Sequence, residues 1–219
     1  MMDPAMFLQK VIIWGLPIVL AITLHEAAHG YVAKMRGDST AWMLGRVTLN
    51  PLKHIDPFGT VLLPLLLMAF SPFIIGYAKP VPVNFMNLRD IKWDSVLVAL
   101  AGPAANLVLL LLSIGWLWLA YLLPHTLQTP FVMMGVASIQ LNLIIMLFNL
   151  LPILPLDGGR VLHALLPPRL GMRFAATERY GLIIVLLLAF TGVLWIVLNP
   201  LMQYSLMAIT PLLPPYMLG

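Results

Sequence analysis

The sequence predicts an all-α polytopic membrane protein, a helical bundle of about four to six spans. Hydrophobic residues make up 61% of its 219 residues, and only 9% are charged. Soluble domains carry about 25% charged residues, so this composition excludes a soluble globular protein. A span needs about 20 apolar residues, which sets the upper limit on the number of spans. A re-entrant or extended segment on the cytoplasmic side is expected between the first and second core helices.

Cysteine and charge exclude two further classes of protein. The chain contains no cysteine, so disulfides and thiol chemistry are absent. Its net charge of +4 comes from 12 Lys and Arg against 8 Asp and Glu. These charges are too sparse for a nucleic-acid surface, and basic loops on one membrane face explain them better. We therefore expect contact with the lipid bilayer and no nucleic-acid partner.

The charged residues divide the chain into apolar segments that are long enough to be helices. The predicted spans are 11–33, 95–123, 131–151 and 181–198. The tract 95–156 contains no Asp, Glu, Lys or Arg, and Pro124 and Pro130 divide it into two helices. The apolar tail after Pro200 is predicted to lie along the interface or to form a short last span.

The basic loops predict the orientation, because Lys and Arg concentrate on the cytoplasmic side of a membrane. Loops 34–57 and 157–179 are basic and should be cytoplasmic, whereas 124–130 and the tail should lie outside. Segment 58–75 then begins and ends on the same side. Its two prolines and marginal length favour a re-entrant hairpin, with an ordinary span as the alternative.

The strongest motif is His25-Glu26-Ala27-Ala28-His29. Positions i and i+4 lie on one face of a helix, so the two imidazoles can bind one zinc ion. The glutamate between them can act as general base on water that the metal activates. A hydrogen-bonded polar cluster and a proton relay are the alternatives, although a His-Glu-His cluster inside a membrane helix is costly without a function.

The third zinc ligand must come from elsewhere in the chain, because a catalytic site uses three protein ligands and leaves one position open. Asp157 directly follows the uncharged tract, and Gly158 and Gly159 allow the backbone to turn closely around it. Glu178 lies in a basic loop beside Arg179 and is the weaker candidate. The alternative role for Asp157 is that of a turn residue at a helix end.

With these motifs the chain resembles the site-2 proteases, a family of intramembrane zinc metalloproteases. The resemblance also rests on Ala101-Gly102-Pro103-Ala104-Ala105-Asn106 and on the segment 149–159, and it extends from about residue 20 to about residue 163. Segments 45–51 and 79–84 resemble the compact prokaryotic subgroup, and the chain has no room for the regulatory PDZ and CBS domains of the family.

The resemblance implies hydrolysis of peptide bonds in transmembrane protein substrates. It implies one zinc ion per chain, bound by His25, His29 and Asp157, with Glu26 as the catalytic base. The expected location is a prokaryotic inner or plasma membrane, with the active site near the cytoplasmic face. The chain 1–219 is then a single transmembrane metalloprotease domain.

Within this predicted domain we expect three parts. The core covers 8–165, a re-entrant region through which substrates enter covers 58–94, and a C-terminal helix and tail cover 180–219. Alternating prolines exclude helix in the segment 79–84, which can pair with an unwound substrate as an added strand. The predicted substrate-binding residues are Lys79, Pro80, Val81, Pro82, Val83, Asn84 and His54. A rigid connector, and for His54 a loop-structuring role, are the alternatives.

Two asparagines in apolar helices are further catalytic candidates. Asn106 and Asn149 can donate to the oxyanion that forms during peptide hydrolysis. The alternative is hydrogen bonding between helices, a frequent role of asparagine in membrane proteins.

Two other functions use the same His-Glu-His cluster. A metal or proton transporter needs a polar path across the whole membrane, which the uncharged tract 95–156 does not offer. A zinc hydrolase that acts on a non-peptide substrate is disfavoured by the family resemblance alone.

Overall fold

The structure, a computed structural model, describes residues 4–62 and 78–217. Within these residues every regular element is a helix, and four helices are long and apolar enough to cross a membrane. The four candidate spans are Val11–Arg36, Ile91–Ala120, Thr126–Asn149 and Val193–Leu212. The predicted all-α polytopic membrane fold is therefore confirmed, and the four candidate spans among the described residues agree with it.

The first span belongs to helix α1, Pro4–Arg36. Its C-terminus is set by Gly37, which adopts φ = 118°, a conformation that favours glycine. The N–H of Asp38 donates to the carbonyl of Ala33 at 2.9 Å and closes the last turn. Helix α2, Thr40–Met43, follows directly. Asp38 is thus held immediately beyond the end of the spanning helix.

The second and third spans are helix α3, Ile91–Ala120, and helix α4, His125–Asn149. The Asp90 carboxylate caps α3 by accepting the N–H groups of Lys92 and Trp93, each at 3.0 Å. The two helices pack through one buried apolar cluster, formed by Leu110, Ile114, Leu117, Ile139 and Leu143. Because only a short connection joins them, α3 and α4 run antiparallel.

The C-terminus of α1 and the N-terminus of α3 lie together at one end of the bundle. The N–H of Arg89 donates to the Arg36 carbonyl at 3.1 Å. The Arg36 Nε atom also lies 3.7 Å from Oδ1 of the buried Asp94. The long connection between α1 and α3 therefore begins and ends at the same end of the bundle.

The flanks of the predicted re-entrant segment also meet there. The N–H of Lys79 donates to the carbonyl of His54 at 2.8 Å, so the residues on either side of the predicted hairpin are in contact. Pro57–Leu62 forms a π-helix. The remainder of the predicted hairpin 58–75 lies outside the described residues, and its re-entrant path stays a prediction.

Within the described residues, four α-helices follow α4. They are α5, Asp157–Leu165, α6, Pro168–Ala175, α7, Gly181–Phe190, and α8, Val193–Ile209. At the end of the bundle away from Arg36, Trp118 Nε1 donates to the Leu212 carbonyl at 2.9 Å, and the Tyr216 hydroxyl donates to the Leu117 carbonyl at 2.7 Å. These bonds fasten the C-terminal segment to the end of α3.

The predicted span 181–198 is wrong. Helix α7 ends at Phe190. Gly192 adopts φ = 79°, and this left-handed conformation interrupts the helix within the apolar segment. The following helix α8 continues through Pro200, so the tail contributes to the last candidate span. The cause is backbone conformation at Gly192, which hydropathy does not report.

Candidate metal centre

Helix α1 brings two histidines together one turn apart. His25 and His29 share a helix face, and their Nε2 atoms lie 3.2 Å apart. His25 is buried, and His29 is half-buried. The helical spacing predicted from the sequence is therefore present.

Asp157, the first residue of α5, completes a cluster with the two histidines. Its Oδ2 lies 3.2 Å from His25 Nε2, and its Oδ1 lies 3.3 Å from His29 Nε2. One ligand atom from each of the three residues lies within 4.8 Å of the others. The tertiary fold thus joins residues that are far apart in the chain.

The other nitrogen of each imidazole binds an oxygen acceptor. His25 Nδ1 lies 2.6 Å from Asn106 Oδ1, and His29 Nδ1 lies 2.7 Å from the Val98 carbonyl. Since both partners accept, each Nδ1 carries the proton. The Nε2 atoms of neutral imidazoles then present lone pairs toward Asp157, as in metal-binding histidines.

This donor set fits a divalent cation, because three groups with lone pairs converge on one point. Oδ2 of Asp157 is buried and has no hydrogen-bond partner among the described residues, despite its proximity to His25. Two imidazoles and one carboxylate are ligands of catalytic zinc, and they leave one coordination position open. His25, His29 and Asp157 would therefore hold zinc.

Gly102 of α3 leaves the space that the two imidazoles occupy. A Cβ built at Gly102 would lie 2.4 Å from His29 Nε2 and 2.6 Å from His25 Nε2. Both rings are held at Nδ1 and cannot move away freely. Helix α3 approaches the cluster this closely because residue 102 has no side chain.

Residues 120–192 match the model of Peptidase family M50. The protein YwhC of Bacillus subtilis, which bears the name zinc metalloprotease, is 41% identical over 191 residues. The match covers 83% of this chain and 84% of YwhC. The chain belongs to peptidase family M50.

Two further relatives of this M50 protein are also named zinc metalloproteases. Rip2 of Mycolicibacterium smegmatis is 33% identical over 178 residues, which is 80% of this chain and 66% of Rip2. Rip2 of Mycobacterium tuberculosis is 31% identical over 172 residues, covering 78% of this chain and 63% of Rip2. No solved structure matches the chain.

The family and the four apolar helices make this M50 protein an integral-membrane zinc metallopeptidase. The resemblance to the site-2 proteases is confirmed, and zinc is the cofactor. Transport and hydrolysis of a non-peptide substrate are not favoured.

Glu26, the predicted catalytic base, contacts the backbone of the segment 79–84. Its Oε2 accepts a hydrogen bond from the N–H of Val81 at 2.9 Å. This segment, 79–84, contains no helix, as its prolines predicted. Its last residue, Asn84, has extended backbone angles, and we call 79–84 the extended segment. The structure therefore brings the glutamate of the motif and one predicted substrate-binding residue into direct contact.

The predicted asparagines occupy different surroundings. Asn106 is fully buried, and its Nδ2 donates to Asn142 Oδ1 at 2.9 Å while its Oδ1 binds His25. Asn149 is half-buried, and its Nδ2 donates to the Ile145 carbonyl of its own helix at 2.9 Å. Both amides thus donate to protein acceptors in this conformation.

His54 structures the loop on which it lies. Its Nε2 donates to the Thr48 carbonyl at 3.0 Å, and its own carbonyl accepts the N–H of Lys79. The imidazole is buried, and Nδ1 has no hydrogen-bond partner among the described residues. His54 supports the N-terminal end of the extended segment through its backbone.

The sequence reasoning missed Asn142, Asp38 and Arg46. Asn142 is buried in α4 and extends the His25–Asn106 contact to the Ser138 carbonyl, to which its Nδ2 donates at 2.9 Å. The sequence could have indicated Asn142, because it is an amide side chain inside an apolar span, which is the feature that selected Asn106.

Asp38 and Arg46 were harder to recognise from the sequence, because each looks like an ordinary charged residue of a solvent-exposed loop. Asp38 is fully buried, and it accepts the N–H of Asn84 at 2.7 Å and the side-chain amide of Asn87 at 3.0 Å. Burial raises the pKa of Asp38, but hydrogen bonds from Thr40, Asn87 and Asn84 outweigh it and hold the pKa below its ordinary value.

Proposed function

We propose that this M50 protein cleaves transmembrane protein substrates at the His25–His29–Asp157 cluster. The observation that carries the proposal is the contact between Glu26 and Val81, which joins the motif on the spanning helix α1 to an extended segment. A substrate drawn out along that segment would lie beside the residues that bind zinc. Substrates of this class must unwind first, because the carbonyls of a helix are already hydrogen-bonded.

The proposed chemistry divides between the cofactor and the chain. Zinc at this cluster would supply Lewis-acid polarisation of a water molecule and of the scissile carbonyl. Glu26 takes a proton from the attacking water and transfers it to the leaving amine. The hydrogen bond from Val81 orients the Glu26 carboxylate for this role. Asn106 holds His25 with its Nε2 lone pair free.

The hydrogen bonds of the two predicted catalytic asparagines support a different role for each. We assign Asn106 to the positioning of His25, because both ends of its amide are bonded within the protein. Asn149 stays the candidate donor to the oxyanion, since a change in its side-chain torsion would release Nδ2 from the carbonyl of Ile145.

The extended segment is the proposed substrate-binding element, formed by Lys79, Pro80, Val81, Pro82, Val83 and Asn84. Its prolines keep the segment extended, so the segment is already in the conformation that pairs with a substrate strand. Replacing Pro80 and Pro82 together should lower the cleavage rate strongly and the zinc content little. His54 contributes through its contact with Lys79. Unchanged turnover of a helical substrate by the double variant would refute this role.

The proposed location is a prokaryotic inner or plasma membrane, with the active site near the cytoplasmic face. All of the 12 Lys and Arg residues except Lys10 belong to the loops and helix ends at the end of the bundle that carries Asp157. Basic residues concentrate on the cytoplasmic side, which supports this orientation.

The deciding experiment uses the two glutamates of the chain. A labelled single-span peptide is reconstituted in liposomes with purified, zinc-loaded enzyme, and the cleavage rate is measured. Glu26→Gln should retain zinc and abolish cleavage, because the amide cannot accept the proton of water. Glu178→Gln is the matched control, since Glu178 is exposed and pairs with Arg160 at 3.5 Å. Normal cleavage by the Glu26 variant would refute the assigned chemistry.

A further inference from the structure

The two edges of the extended segment 79–84 differ in the number of backbone N–H groups that they offer. Successive residues of an extended segment direct their backbone groups to opposite sides. Pro80 and Pro82 lack an N–H, so the edge that they share with Asn84 has few donors. Val81 and Val83 share the other edge, and both have an N–H and a carbonyl.

The edge of Val81 and Val83 faces Glu26, and most of its backbone groups have no hydrogen-bond partner among the described residues. The N–H of Val81 donates to Glu26, which fixes the direction of this edge. Among the described residues, the carbonyl of Val81 and both backbone groups of Val83 make no hydrogen bond. A strand that pairs here would find two acceptors and one donor beside the catalytic glutamate.

The C-terminal end of the segment is held by a buried carboxylate. The N–H of Asn84 donates to Asp38 Oδ2 at 2.7 Å, while Asp38 Oδ1 accepts from the N–H of Thr40 at 3.1 Å. Asp38 is 0% exposed. Since Asp38 lies two residues after the C-terminus of α1, it ties Asn84 to the helix that carries both histidines.

The N-terminal end is held by a guanidinium. One terminal nitrogen of Arg46 donates to the Lys79 carbonyl at 2.9 Å and to the Pro80 carbonyl at 3.4 Å. Arg46 and Asp38 therefore hold the segment on either side of Val81. Neither contact uses a backbone group of Val81 or Val83.

Gly30 of α1 brings the middle of the segment close to the helix. A Cβ at Gly30 would lie 3.0 Å from Val81 Cγ1 and 2.7 Å from Val47 Cγ2. The buried Val81 side chain thus packs against α1 at the residue that directly follows His29. The distance between the edge of Val81 and Val83 and the metal centre is set by this packing and by the two end contacts.

We infer that Asp38 and Arg46 are positioning residues that set the register of the substrate backbone against the zinc centre. The inference rests on the proposed function and concerns substrates bound as an extended strand along Val81 and Val83. Both residues act through the segment, and neither touches the reacting atoms. Loss of either contact lets one end of the segment shift, so a neighbouring peptide bond reaches the site.

The test measures which bond is cut as well as how fast. Full-length, zinc-loaded Asp38→Ala and Arg46→Ala enzymes are compared with wild type on the single-span peptide in liposomes, with products identified by mass spectrometry. We expect stoichiometric zinc, a fall in kcat/KM of at least about tenfold, and products cut at neighbouring bonds. Arg46→Lys should restore the original bond, because an ammonium can donate to both carbonyls.

Arg89→Ala is the matched control, since Arg89 is exposed near the same loops and its guanidinium makes no hydrogen bond within the described residues. It should cut the original bond at the wild-type rate. Should Asp38→Ala fail to fold, Asp38→Asn and the Arg46 variants carry the test. Folded, zinc-loaded variants that cut the original bond at the wild-type rate would overturn the inference.

Substrate binding separates this inference from the proposed function. The labelled peptide is titrated into Glu26→Gln enzyme, whose side-chain oxygen still accepts from Val81, with and without Arg46→Ala. Weaker binding in the double variant supports the positioning role even if wild type shows no cleavage. Equal affinity in both backgrounds would count against it whatever the turnover.

Discussion

The Oδ1 atom of Asn106 lies 2.6 Å from Nδ1 of His25, and this bond joins α3 to α1, the helix that carries both histidines of the candidate metal centre. The amide end of Asn106 donates in turn to Asn142 of α4. The ring orientation of His25 therefore depends on three helices, and a change in that bond should be detectable in zinc affinity.

Replacing Asn106 with alanine should weaken zinc binding. Loss of the partner of a metal-binding histidine typically lowers metal affinity or activity by about 10–100-fold. We expect a fall of that size in competition titrations with a zinc-specific chelator. Asn106→Asp is the control, because it keeps an acceptor for His25 Nδ1. Equal zinc affinities in wild type and Asn106→Ala would contradict the positioning role.

Gly102→Ala should abolish stoichiometric zinc binding. The added Cβ would meet ring atoms of His25 and His29 at distances well below van der Waals contact. Gly115→Ala, in the same helix, is the matched control, because a Cβ there meets nothing within 4 Å. Metal analysis of both purified proteins checks the prediction. Full zinc occupancy in Gly102→Ala would show that α3 can withdraw without disrupting the site.

Acidification should destabilise the protein partly through Asp38. Hydrogen bonds hold its pKa below the ordinary value, so the ionised carboxylate stabilises the fold above the unfolded pKa of about 3.9. That stabilisation is lost as the pH falls through the lower folded pKa. Thermal unfolding of wild type should therefore show a steeper loss of stability in this acidic range than Asp38→Asn. If the Tm of wild type and that of Asp38→Asn fall equally with pH, the result would argue against a contribution of Asp38.

Gly192→Ala should lower the free energy of unfolding. Gly192 adopts φ = 79°, and a side chain in the left-handed region costs about 1–2 kcal/mol. Because a Cβ there meets no atom within 4 Å, the cost is one of backbone conformation alone. Gly115→Ala should not lower stability, since its backbone is helical. Denaturant unfolding in detergent measures both, and an unchanged Gly192 variant would contradict the assignment.

The spanning helices and the members of the candidate metal centre were recognisable for local reasons. His25 and His29 share a face because of helical periodicity, which depends only on sequence spacing. Asp157 stood out because a carboxylate at the end of an apolar tract lacks a local partner. The break at Gly192 was not predictable from hydropathy, because the residues on both sides of it are equally apolar.

The sequence alone determined the membrane class, the zinc-binding motif and the family resemblance, because these depend on composition and on spacing within single segments. The tertiary structure decided which distant groups meet. It brought Asp157 to the histidines, Asn106 to His25 and Val81 to Glu26. It also buried Asp38 against the extended segment. The physical reason is that such contacts arise from helix packing and loop closure, which join residues without a shared local pattern.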